Sequence, residues 1–214
     1  MSYCGLDPSF TGCGISLIHD DLMQIEFYEK SVELDKRSTI IKFEAIDKMA
    51  RQVRHVLRAQ TEENSACIGQ EVSTAYTGWF VAELFGLAYA INQTINKDVH
   101  PKDYDLFSQE YIKFIHGHKR TKEDTIFLVE DVLLPIFRKY GYKITKIEKT
   151  EMTSTGVKEE GKNRYIKRET ITNNEADSFI YAVRQFIKHN PDSEISKDIL
   201  KEYPRFAVEG KELK

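Results

Sequence analysis

The sequence predicts an α/β domain built around a mixed sheet. Three strand-like segments precede residue 35, helical periods follow, and strand-like alternation returns between two later helices. An opening hairpin followed by helices alternating with strands calls for both parallel and antiparallel pairing.

"SYCGLD", "GCGISLIH" and "QIEFYEKSVEL" are separated by "PSFT" and "DD", which are turn signals, so they read as a three-strand meander. From Ser38 the period becomes helical. Ile41, Ala45, Met49, Val53 and Leu57 fall four apart on one face, and Ser38 or Thr39 can cap the helix. "ACIGQE" is a short apolar strand ending on an acid, and "TGWFVAELFGLAYAINQTI" is a helix hydrophobic nearly all round, which predicts burial. "DYDLFSQEYIKFI" reads as extended. "TKEDTIFLVEDVLLPIFRKYGY" is a third helix, capped by Thr121, ending near Gly141, and kinked or shortened at Pro135. "KITKIEKTE" alternates as a strand, and "MTSTGVKEEGKNRYIKRETIT" is a charged insertion, either a hairpin or an arm. "NNEADSFIYAVRQFIKHN" is the last clear helix, with Ala176, Phe179, Ile180, Val183, Phe186 and Ile187 as its apolar stripe. The expected domain therefore runs over 1–190, with an insertion at about 144–172 and a polar tail over 191–214 that holds one short helix.

At 214 residues and 41% hydrophobic content the chain can bury a core as one domain. A net charge of −3 argues against a uniformly basic nucleic-acid coat and leaves local patches as the route to phosphate. Cys4, Cys13 and Cys67 form no CxxC pair and lie in apolar stretches, so they read as reduced core residues. The sequence shows no membrane-length apolar stretch and no leader pattern, which predicts a soluble, cytoplasmic protein.

Three acids stand at the ends of elements beside apolar runs. Asp7 lies where the first strand gives way to a turn, Glu71 closes "ACIGQE", and Asp177 lies near the start of the last helix. If the first and fourth strands are neighbours, Asp7 and Glu71 point to one place, and a helix packed across that end adds Asp177. Converging carboxylates repel unless a hard cation neutralises them, and an all-oxygen donor set selects magnesium or manganese over zinc. Each acid also has a plainer reading: a turn former before Pro8, a solvated strand end, a complement to the helix dipole. Spacing alone leaves these open.

"GLDPSFTGCGISLI", "ACIGQE" before a buried helix, and "NNEADSFIYAV" resemble, in order and context, the motifs of the RuvC family of Holliday-junction resolvases within the RNase H and integrase superfamily. A phage-type member is one form this would take. The resemblance spans most of the chain and implies an RNase H-like mixed five-stranded sheet flanked by helices. It further implies that Asp7, Glu71 and Asp177 bind two Mg2+ or Mn2+ ions and that the chain cuts branched DNA, four-way junctions above all, as a homodimer.

The sequence departs from the pattern in three places. Asn174 stands where the family has another Asp or a His, one turn before the last acid, with Glu175 beside it as a substitute. The aromatic that wedges against bases has no clear counterpart; Tyr76 is the nearest candidate and Trp79 the next. The span between Glu71 and Asp177 is longer than in compact members.

For DNA, "KFIHGHKRTK" carries Lys113, Lys119, Arg120 and Lys122 and no acid, directly before a helix, which reads as a phosphate site. The resemblance gives Lys122 a catalytic role and, with less support, Lys113. "KNRYIKR" adds Arg164, Lys167 and Arg168 as a second basic stretch. The helix beginning near Thr77 is the candidate dimer interface. Two other readings stand beside the nuclease: a junction-binding protein of the same fold that cuts weakly or not at all, and an actin-like or sugar-kinase ATPase fragment.

Overall fold

The computed structural model of the chain describes residues 1–9, 12–32, 39–61, 65–72, 79–108, 110–117, 121–152, 164–167 and 170–208, of which 32, 39–43, 79–85, 149–152 and 164–167 are described by backbone alone. β1 (Ser2–Pro8), β2 (Cys13–His19) and β3 (Gln24–Val32) form the expected antiparallel meander. α1 (Thr39–Gln60) buries Ala45, Met49, Val53 and Leu57 along the predicted stripe and leads to β4 (Ala66–Val72), which lies parallel to β1. α2 (Trp79–Asp98) then leads to β5 (Asp103–Ser108), parallel to β4.

The extended reading of "SQEYIKFI" fails beyond Ser108. α3 (Glu110–His116) begins there, and its buried Tyr111, Ile112 and Ile115 sit at helical spacing, which a strand would have split between two faces. Thr121 caps α4 (Lys122–Phe127) in a reciprocal capping box with Asp124. The helix continues through a π-helical turn, Leu128–Leu133, into α5 (Leu134–Lys139), and closes at Gly141, whose φ is 93°. The expected interruption at Pro135 takes the form of that π turn. Proline lacks an N–H and crowds the carbonyl four residues back, and one extra residue in the preceding turn relieves both effects.

β6 (Lys143–Met152) pairs in parallel with β3, and β7 (Arg164–Lys167) pairs antiparallel with β6. The sheet order is β5-β4-β1-β2-β3-β6-β7, so seven strands stand where the resemblance implies five. The insertion thus gives a strand pair that covers the otherwise open edge of β3.

α6 (Asn173–His189) crosses β1, β2 and β4 on one face of the sheet. Every residue from Glu175 to Ile187 is buried, well beyond the predicted stripe, because α3 to α5 pack over its outer side. α7 (Glu194–Glu202) and the 3-10 turn Pro204–Ala207 complete that layer. They insert Ile195, Ile199 and Phe206 into the same core, so the stretch read as a polar tail is folded through residue 208. α1 and α2 cover the other face over Cys4, Leu6, Ile15, Leu17 and Ile68. The result is three layers with the sheet in the middle. Cys4, Cys13 and Cys67 are free and buried, as expected. Among the described residues no helix is long and apolar enough to cross a membrane.

Two glycines set how close α6 comes. A Cβ at Gly5 would lie 1.7 Å from the Ser178 carbonyl oxygen, and one at Gly14 would lie 2.0 Å from that of Asn174. What Gly5 and Gly14 admit is the backbone of α6.

At the opposite end of the sheet, Ser2 Oγ and His19 Nδ1 are 2.9 Å apart, His19 Nε2 is 3.8 Å from Glu26, and the Tyr28 hydroxyl donates to Glu26 at 2.6 Å. Burial raises the Glu26 carboxyl, but His19 and Tyr28 outweigh it and hold the group below its ordinary value.

Gly5→Ala should destabilise the fold by about 3 kcal/mol or more, or prevent folding, because the clash is with backbone. Wild-type stability in urea would contradict the close approach. For Glu26, a depressed folded value stabilises above the unfolded value of about 4.3 and stops doing so as pH falls through the folded one. Glu26→Gln should therefore be less stable than wild type in urea at pH 5–7, and the gap should close below about pH 4. A gap that persists in acid would remove this assignment.

Candidate active site

Side chains alternate along each strand, which puts Tyr3, Gly5 and Asp7 of β1 and Cys67, Gly69 and Glu71 of β4 on the face under α6. The parallel register pairs Leu6 with Gln70, so Asp7 and Glu71 stand side by side one step further, where both strands end. Asp177 comes from the helix above them. The three are 8%, 9% and 5% exposed, respectively.

Tyr181, one turn after Asp177, registers their convergence. Its hydroxyl donates to Glu71 Oε2 at 2.7 Å. Burial first, and then the negative charges of Glu71, Asp7 and Asp177, push its phenol well above the ordinary value, so it remains a donor. Asn173 Nδ2 donates to Asp177 Oδ2 at 3.3 Å. Asn174 lies with its carbonyl over Gly14. Glu175, suggested by sequence as the stand-in for the acid the family places at 174, is not available. It is fully buried and its Oε2 accepts from the Thr172 N–H at 2.7 Å, completing the α6 capping box.

The donor set fits a hard divalent cation in kind: three carboxylates and an amide oxygen, with no sulfur or imidazole. Among the described residues no three Asp, Glu, His or Cys side chains are already gathered tightly enough to hold an ion. Glu71 accepts from Tyr181 and Asp177 accepts from Asn173, so each of these carboxylates is oriented by a neighbour on α6.

The basic residues divide. Lys122 is exposed at the start of α4, and Lys113 is exposed on α3 and paired with Glu110 at 2.7 Å. Both helices pack on the α6 side of the sheet. The first turn of α4 also carries Glu123 and Asp124, and the Asp124 amide is bound by Thr121, so the helix end offers less to phosphate than the upstream basic run implies. Arg164 and Lys167 lie on β7 at the far edge of the sheet, described by backbone alone. Tyr76, Lys119, Arg120 and Arg168 lie outside the described residues, and Trp79 opens α2 with its backbone alone described. α2 covers the opposite face; Leu87, Ile91 and Ile95 are buried, whereas Tyr89 is 59% exposed, so the helix is not enclosed on all sides.

One acid escaped the sequence reading. Glu29 on β3 is 8% exposed and sits on the α6 face, level with Asp7. Its signal was alternation: it follows Ile25 and Phe27 at period two, on the inward side of a strand.

Tyr181→Phe removes a hydrogen bond to a buried carboxylate and should cost about 2 kcal/mol in urea denaturation at neutral pH. An unchanged midpoint would mean that Glu71 does not depend on Tyr181.

No family model matches the chain, and no curated protein matches it. Solved structures do. Thermus thermophilus RuvC in complex with Holliday junction substrate superposes with a TM-score of 0.54 at 15% identity, over 89% of this chain and 96% of that one. A second structure of Thermus thermophilus RuvC gives 0.51 at 16% identity, over 89% and 97%. At that identity the likeness concerns architecture: the chain has a RuvC-like RNase H fold.

Proposed function

We propose that the chain is a Mg2+- or Mn2+-dependent endonuclease that resolves four-way DNA junctions by paired phosphodiester hydrolysis. The observation that carries this reading is the convergence of Asp7, Glu71 and Asp177 at one end of a RuvC-like sheet, around the Tyr181 hydroxyl. Asp7, Glu71 and Asp177 are the residues that would hold the ions. When bound, two such ions activate a water and stabilise the leaving oxygen of a phosphodiester.

The protein's own groups have distinct tasks. Tyr181 orients Glu71 by donating to one of its carboxylate oxygens. Asn174 orients water or an ion through its amide oxygen but cannot take up a proton as a base. Lys122 meets phosphate near the site, and Lys113, Lys119, Arg120, Tyr76, Arg164, Lys167 and Arg168 extend the contact to junction arms. Two symmetric cuts require two sites related by a two-fold axis, so the active form is a homodimer, with α2 as its interface.

A second reading, a junction-binding protein that does not cut, is favoured by one observation: a neutral amide at 174 in place of an acid or imidazole.

The test is incubation of a synthetic four-way junction, beside matched linear duplex, with Mg2+, Mn2+ or chelator. Paired symmetric nicks should appear in the junction alone and vanish with chelator. Asp7→Asn should reduce the rate about a thousandfold, the scale of losing several kcal/mol of charge stabilisation. Tight junction binding without cutting under any metal would replace the first reading with the second.

A further inference from the structure

We infer that Glu29 is a fourth carboxylate of this site, supplied by β3 on the side where α6 carries Asn174, and that it ligates a divalent cation there. The inference rests on the nuclease reading and deepens it.

Cross-strand register makes the case. Asp7 pairs with Gly14, and Gly14 pairs with Glu29, so the three occupy one rung across β1, β2 and β3, with Glu71 beside Asp7 on β4. All four residues of this rung face α6. Phe27, two residues before Glu29, packs on Phe179 of α6 with ring centroids 5.3 Å apart, which fixes that side of β3. The residue between the two acids has no side chain, and the α6 backbone lies directly on it. A Cβ built on Gly12 would sit 3.0 Å from Asn174 Nδ2 and 3.1 Å from Glu29 Oε1, so amide and carboxylate approach the same point.

Chemistry favours the same assignment. Three carboxylates offset only three of the four positive charges of two divalent ions; Glu29 supplies the fourth, and a neutral Asn174 does not. The acid next to Asn174 in sequence, Glu175, is committed to its helix cap. A chain that lost the helix acid would keep its charge balance by drawing a carboxylate from the sheet.

The experiment is calorimetric titration of the metal-free full chain with Mn2+, for wild type, Glu29→Gln, Glu29→Asp and a remote control, Glu202→Gln. Thermal denaturation in chelator establishes that each variant is folded. Glu29→Gln should bind Mn2+ at least tenfold more weakly or bind one ion fewer, Glu29→Asp should recover part of the loss, and Glu202→Gln should match wild type. If Glu29→Gln does not fold, the Glu29→Asp isotherm decides. An isotherm identical to wild type in the folded variant, or a wild-type chain that takes up no Mn2+, overturns the inference. Junction cleavage measured in parallel separates the two claims. Cutting by a chain whose Mn2+ binding ignores Glu29 sinks this inference alone; Glu29-dependent Mn2+ binding in a chain that cuts no junction sinks the nuclease reading and leaves the ligand in place.

Discussion

The approach of α6 to the sheet at backbone distance is the constraint on which the rest of this structure depends. Gly5 and Gly14 leave no room for side chains beneath Ser178 and Asn174, so the helix rests directly on β1 and β2. Ser16 reinforces the contact by donating to the Glu175 carbonyl at 2.9 Å and meeting Ser178 Oγ at 2.6 Å. A helix seated this deep is necessarily buried, which explains why polar Ser178, Arg184 and Gln185 are enclosed along with the apolar stripe. It also fixes where the first turn of α6 ends, and with it Asp177.

The acids owe their placement to an apolar wall. Phe107 and Tyr111 lie 4.8 Å apart between ring centroids, and Phe107 and Tyr181 lie 5.3 Å apart, an aromatic cluster in which Phe107 of β5 joins α3 and α6. That cluster aims the Tyr181 hydroxyl at Glu71. Like charges gathered on such a wall are costly, and the energy of holding them together is available to whatever cation relieves it. The polar chain at the other end of the sheet, Ser2, His19, Glu26 and Tyr28, satisfies itself with opposite charge and internal hydrogen bonds.

Most elements could be read from local pattern. The meander, α1, β4, the Thr121 cap and the last helix follow from alternation, four-residue periods and capping residues, each a property of a few neighbouring positions. The misreadings have local causes as well. "QEYIKFI" holds too few turns to announce a helix, and the segment over 191–208, whose short helix was expected, looked polar because its inward residues, Ile195, Ile199, Leu200, Tyr203 and Phe206, are spread among charged ones. Pro135 correctly announced a disturbance but not its form, since a π turn depends on what the whole helix packs against.

Sequence by itself determined the α/β class, and it placed Asp7 and Glu71 at strand ends and Asp177 near the start of a helix, because periods and residue types are written position by position. Only the tertiary structure decided that Glu29 stands level with Asp7, that Glu175 is used up in a cap, that Gly5 and Gly14 serve a helix, and that β6 and β7 widen the sheet. The physical reason is that strand register and helix approach are fixed by contacts between residues far apart in the chain, and no short stretch of sequence contains both partners.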